Sequence, residues 1–135
     1  MTLQTPEMVL LDLEGTLVDT VPDLAYCIDR TMDTIGLPRH GEEKIRTWVG
    51  SGIENLVKRA LVENVNGVQE QALFEKAFPV FLEIYRKNTC VRTCCYPGVR
   101  EGIDYLKGKQ IELGCITNKR MQFTESILKN LGLFD

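Results

Sequence analysis

A chain of 135 residues has the length of one domain, and its 44% hydrophobic and 26% charged content is that of an ordinary globular protein. A formal net charge of −3 gives no electrostatic reason to expect nucleic acid as a partner, and no apolar run reaches the length that crosses a bilayer. The N-terminus lacks the basic patch and apolar core of a secretory signal, so a cytoplasmic location is expected. Cys27, Cys90, Cys94, Cys95 and Cys115 are an odd set without a C-x-x-C pair. They are expected as reduced structural thiols, not as a disulfide framework or a metal centre.

The apolar run from Met8 to Leu11 reads as a fully buried strand of a parallel sheet. It ends in Asp12, followed by Glu14 and a Gly15-Thr16 turn. Side chains at i and i+2 of an extended segment share a side, so both carboxylates can face one point. Gly15 permits a sharp bend whose consecutive N–H groups form an anion-binding nest. Two acids beside a bound anion suggest phosphate chemistry, with one attacking phosphorus and the other handling the proton.

The pattern then turns helical. Pro22 opens a helix carrying Leu24, Ile28, Met32 and Ile35 before Gly36 stops it. His40 falls in a polar loop and reads as a solvated residue, and Glu42 to Val49 reads as a short helix broken by Gly50-Ser51-Gly52. Ser51 is placed to cap a further helix with Ile53, Leu56, Val57, Ala60 and Leu61 on one face. A longer helix runs from about Gln69 to Asn88, with Pro79 inside it as a point of kinking or division.

Strand–helix alternation resumes after the Tyr96-Pro97-Gly98 turn. Val99 to Leu106 reads as a helix, Ile111 to Ile116 as a second buried strand, and Lys119 to Leu131 as a helix stopped by Gly132. Thr117 ends the second strand directly before a helix N-terminus, where it can contact a phosphate oxygen or simply cap the helix. The fold class is thus α/β. Residues 1–17 and 95–135 form one partial core, and residues 18–94 form an all-helical insertion.

The segment Leu10-Leu11-Asp12-Leu13-Glu14-Gly15-Thr16-Leu17-Val18-Asp19 resembles the DxDGT signature of the haloacid dehalogenase (HAD) superfamily. Thr-Trp-Val-Gly-Ser-Gly at 47–52 and Thr117-Asn118-Lys119 resemble its phosphoglycolate phosphatase branch, with Glu14 standing where the signature has a second Asp. The resemblance implies a HAD-like Rossmann-type core, here with about two parallel strands, carrying an inserted helical cap. It implies Asp12 as the nucleophile that forms an aspartyl-phosphate, and Glu14 as the acid and base for leaving group and water. It implies Gly15, Thr16, Thr117 and Asn118 on the phosphate, and Mg²⁺ on the Asp12 carboxylate and the Glu14 backbone carbonyl. Gly50, Ser51 and Gly52 would read a small phosphorylated metabolite, 2-phosphoglycolate being the expected one, while Lys58 and Arg59 read more readily as solvated surface residues than as assisting ones.

The family's third motif, a lysine, and its fourth, an acidic pair, do not occur before Asp135, and Lys119 follows the second motif too directly to be assigned the third-motif role. A fragment, or self-association that completes the sheet, is therefore expected, together with weak activity. The extra methylene of Glu14 adds to that expectation, since a misplacement near 1 Å costs on the order of 100-fold in rate. A phosphoglucomutase-like relative and a HAD-derived phosphate-binding or interaction protein remain as alternatives.

Overall fold

The computed structural model describes residues 2–62 and 70–134. Strand β1 (Met8–Leu11) is followed by β2 (Val18–Asp19), the helices α1 (Val21–Ile35), α2 (Glu42–Arg46), α3 (Ile53–Val62) and α4 (Glu70–Lys87), and then by β3 (Cys94–Cys95), α5 (Val99–Gly108), β4 (Glu112–Cys115) and α6 (Met121–Asn130).

β1 and β4 run parallel, with Leu10 opposite Gly114 and Leu11 opposite Cys115. A Cβ on Gly114 would stand 2.7 Å from Leu10 Cδ2, so a larger residue there would displace the exposed end of the Leu10 side chain. Leu11 and Leu113 pack with Leu13, Ile103 of α5 and Ile127 of α6. The expectation of two fully buried strands is corrected: Met8, Leu10 and Ile116 are 50%, 54% and 60% exposed. A parallel strand is buried on both faces only when elements cover both. In the described chain the alternate residues of β1 have no covering layer.

β2 and β3, each two residues long, pair antiparallel in the registers Val18–Cys95 and Asp19–Cys94. The Tyr96 amide extends this ladder to the Leu17 carbonyl at 3.1 Å. The chain therefore leaves for the helices and returns from them through a narrow neck. Arg46 of α2 grips the neck with a two-pronged pair to the Asp19 carboxylate at 3.1 Å.

The helices gather around a second core, in which Ile28 and Met32 of α1, Leu56 and Val57 of α3, and Phe81 and Tyr85 of α4 are buried. α1 starts with Pro22 in its first turn and ends at Gly36 in the left-handed conformation, φ 78°. α2 stops at Arg46, short of the expected Val49. Gly52, not Ser51, starts α3, because its carbonyl accepts the Leu56 amide at 3.1 Å. α4 continues unbroken through Pro79, and its expected start at Gln69 lies outside the described residues. His40 is not a solvated loop residue: its ring Nε2 bonds the Ala60 carbonyl at 2.7 Å and its amide donates to Asp29 at 2.8 Å. Among the described residues no helix is long and apolar enough to cross a membrane.

Asp23, in the first turn of α1, holds the neck closed. Its carboxylate is fully buried and accepts the amides of Val91, Arg92 and Thr93 at 3.0, 2.9 and 2.8 Å. The Thr93 hydroxyl adds a fourth bond at 2.7 Å, and Arg92 supplies the balancing charge at 3.2 Å, its guanidinium lying 3.8 Å from the Tyr26 ring centroid.

Asp23→Ala removes one acceptor and strands several buried donors, each costing about 1–3 kcal/mol. The expected loss in urea-unfolding stability is about 3 kcal/mol or more, and a loss below about 1 kcal/mol would contradict the clamp.

Candidate active site

β1 delivers Asp12 to the open end of the parallel pair, where it is exposed and its Oδ1 accepts the Leu13 amide at 2.7 Å. The next turn closes around buried Leu13, whose carbonyl accepts the amides of Thr16, Leu17 and Val18 at 3.3, 2.9 and 3.1 Å. Gly15, at φ 77°, directs its own amide to the Val18 carbonyl at 3.0 Å. The amides of Gly15 and Thr16 are therefore spent inside the turn, and the anion nest read there is corrected to a self-tied turn that aims its neighbours.

Glu14 turns toward the helical layer. Its Oε1 accepts the Thr20 hydroxyl at 3.0 Å and the Lys119 ammonium. The Lys119 side chain is only 3% exposed, and its Nζ stands 5.0 Å from the Tyr85 ring centroid. Burial holds the Lys119 ammonium below the usual lysine range, while the Glu14 charge opposes that shift. The Tyr85 hydroxyl is buried without a hydrogen-bond partner among the described residues, and burial raises its pKa. Burial, reinforced by Asp23, pushes the nearby Cys27 thiol up to about 12, which makes it an inert core residue and not a nucleophile.

Two residues past the end of β4, Thr117 Oγ1 accepts the Lys119 amide at 3.2 Å. This turn delays the last helix: α6 starts at Met121 with Arg120 as its N-cap, so the helix expected directly after Thr117 is displaced and Thr117 caps a turn. Asn118 reaches across to the helical layer, where its Nδ2 donates to the Gly50 carbonyl at 3.1 Å.

Two cavities meet at these residues. One, of about 460 Å³, is lined by Asp12, Glu14, Gly50, Thr117 and Asn118 among others. The other, of about 290 Å³, reaches into the helical layer along Gly50, Ser51, Gly52 and Glu54, and it shares Glu14 and Asn118 with the first. Lys58 and Arg59 line neither; Lys58 instead lies over Phe74, 5.0 Å from its centroid.

Sequence reasoning missed Thr20, Lys119 and Tyr85. Lys119 had a signal, since it follows the strand-ending Thr117 closely enough to turn back toward Glu14. Tyr85 had none, because its contact with the site is set by how α4 packs.

The oxygen donors suit a hard cation. Asp12 offers an exposed carboxylate and Glu14 a backbone carbonyl, while the Glu14 side chain is neutralised by Lys119. Among the described residues no group of three or more His, Cys, Asp or Glu gathers to hold a metal. Mg²⁺ is commonly held by one or two carboxylates plus substrate phosphate and water, and these residues fit that manner of binding.

Comparison with known proteins follows the same lines. The family model for haloacid dehalogenase-like hydrolases matches residues 9–135. A phosphoglycolate phosphatase of Nitrosococcus oceani is 51% identical over 133 residues, covering 98% of this chain and 59% of the relative. One of Nitrosospira multiformis is 39% identical over 127 residues, covering 94% of this chain and 56% of the relative. The crystal structure of a predicted phosphoglycolate phosphatase from Haemophilus somnus 129pt superposes with a TM-score of 0.84 at 30% identity, over 95% of this chain and 58% of that one. A haloacid dehalogenase-like family hydrolase from Streptococcus pneumoniae, at 20% identity and a TM-score of 0.77 over 95% of this chain and 57% of that one, shares the fold. The chain thus spans 59% and 56% of the length of these two curated relatives.

The Glu14–Lys119 pair is tested by a double-mutant cycle on folding stability. Lys119→Met and Glu14→Gln each leave a buried group without its partner, so the double variant is expected to lose less than the sum, with a coupling of about 1–3 kcal/mol. Additivity within about 0.5 kcal/mol would refute the pairing.

Proposed function

The chain belongs to the haloacid dehalogenase-like hydrolases, and we propose that it carries the nucleophile and cap portion of a phosphatase for a small phosphate monoester. 2-Phosphoglycolate is the substrate favoured by the names of its relatives. Within this proposal residues 1–17 and 95–135 are the partial core, residues 18–94 are the cap, and the enzyme is cytoplasmic.

The supporting observation is the shared cavity, which the exposed Asp12 lines together with Thr117 and Asn118 and with a Glu14 held in place by two donors. Asp12 attacks phosphorus and becomes an aspartyl-phosphate as the ester oxygen departs. Glu14 in its protonated form gives its proton to that oxygen, and the carboxylate left behind, which Lys119 meets, then takes a proton from the water that frees Asp12. Thr117 and Asn118 hold the phosphate, and Gly15 and Thr16 form the turn that aims Asp12 and Glu14. Gly50, Ser51 and Gly52 shape the wall around the organic end of the ester. The Asp12 carboxylate and the Glu14 carbonyl would hold Mg²⁺, which would supply charge neutralisation for phosphoryl transfer when bound.

A second reading, a phosphate-binding protein without turnover, is favoured by the Glu14 side chain being engaged by Lys119. The exposed Met8, Leu10 and Ile116 are consistent with self-association through the open sheet.

Phosphate release from 2-phosphoglycolate separates the readings. The expected result is Mg²⁺-dependent release slower than about 1 s⁻¹, abolished by chelation and by Asp12→Asn. Binding of the ester without release would support the second reading, and neither binding nor release would remove both.

A further inference from the structure

We propose that Arg120 reads a carboxylate at the end of the substrate remote from its phosphate, and that Glu54 occupies the guanidinium when substrate is absent. The proposal rests on the phosphatase reading and adds to it a specificity residue on the core side of the cleft.

Two cations, Lys119 and Arg120, line the 290 Å³ cavity, together with two acids, Glu14 and Glu54. The two pairs differ in kind. Lys119 is 3% exposed and committed to Glu14. Arg120 and Glu54 meet at 2.6 Å, Nη2 to Oε1, but their side chains are 42% and 57% exposed. An ion pair this open to water favours its paired state by no more than about fivefold, so another carboxylate can displace it. The guanidinium offers five donors in a planar fork suited to a two-pronged carboxylate contact, and the Glu54 contact uses Nη2 alone.

The backbone of Arg120 is fixed while its side chain is exchangeable. Its carbonyl accepts the amides of Phe123 and Thr124 at 3.1 and 3.0 Å, which pins the start of α6. Its guanidinium lies 5.5 Å from the Phe78 ring centroid, against α4. The cavity it lines joins the one at Asp12 through Glu14, Gly50 and Asn118. In this proposal a small ester seated with phosphorus at Asp12 extends its organic end through this junction toward the wall that carries Arg120. With Lys119 already neutralised, Arg120 is the cation whose partner can be exchanged.

The test is calorimetric titration of the whole chain, in buffer with chelator so that neither ester is hydrolysed, with 2-phosphoglycolate and with ethyl phosphate, which lacks the carboxylate. The wild-type chain is expected to prefer 2-phosphoglycolate by about tenfold, the scale of one charge-assisted contact. Arg120→Met should bring that preference close to one, and Arg120→Lys should retain part of it. Glu54→Gln should tighten 2-phosphoglycolate by about threefold, because it removes the internal competitor. A gain of affinity is a change that damaged folding does not produce. Equal affinity for the two ligands in the wild-type chain, an unchanged preference in Arg120→Met, or weaker binding of 2-phosphoglycolate in Glu54→Gln would each overturn the assignment to Arg120 while the phosphatase reading stands. Failure of the wild-type chain to bind either ester would overturn both.

Discussion

The neck through which the chain leaves and re-enters its small α/β layer governs the rest of the structure, and one buried carboxylate closes it. Asp23 joins α1 to residues as many as 70 positions later in the sequence. The entropy of closing so long a loop grows only slowly with its length, so a few saturated hydrogen bonds suffice if water is kept from them. The consequences reach the chemistry directly. Thr20, which holds Glu14, lies immediately before α1, so its position is set by the start of the helix that Asp23 anchors. A clamp that looks purely structural thus fixes one of the two donors on the proposed acid–base group.

Much of this arrangement was legible in the residues themselves. The apolar run ending at Asp12 and the run ending at Thr117 are the two parallel strands, and the glycine stop at Gly36 ends α1 as read. What failed to show was whatever depends on a neighbour. Met8 and Leu10 carry the pattern of a buried strand, but burial is decided by the layer opposite, not by the strand. β2 and β3 are two residues each, too short to leave a period in the sequence. The late start of α6 follows from a hydroxyl-to-amide turn at Thr117, a local competitor to helix geometry that a threonine can supply anywhere.

The site was legible to a similar depth. Asp12, Glu14, Thr117 and Asn118 could be singled out because each sits at a strand end, where side chains converge above a parallel sheet. Motif order along the chain assigns one role to each position and leaves Lys119 without one. In space, the backbone turn at Thr117 brings its ammonium beneath Tyr85 and onto Glu14. Tyr85 belongs to α4, and its contact with the site is visible only once the helices are packed.

The longer side chain of Glu14 is best understood together with that lysine. Taken alone, an extra methylene adds a rotatable bond and blurs the position of a carboxylate whose function depends on placement. Here the carboxylate is held by a hydroxyl and an ammonium on the same oxygen, which restores a defined position. The dependence runs both ways. An ammonium this deeply buried is costly unless an opposite charge meets it, and the Tyr85 face beside it only partly offsets the lost water. An aspartate at position 14 would end one bond short of the oxygen that now meets Lys119, leaving the ammonium buried against a weaker contact. The residue that departs from the family signature and the lysine that lay outside any assigned role therefore form a single electrostatic unit. Its geometry, more than the identity of either residue, fixes where the Glu14 carboxylate stands between the strand ends and the helical layer.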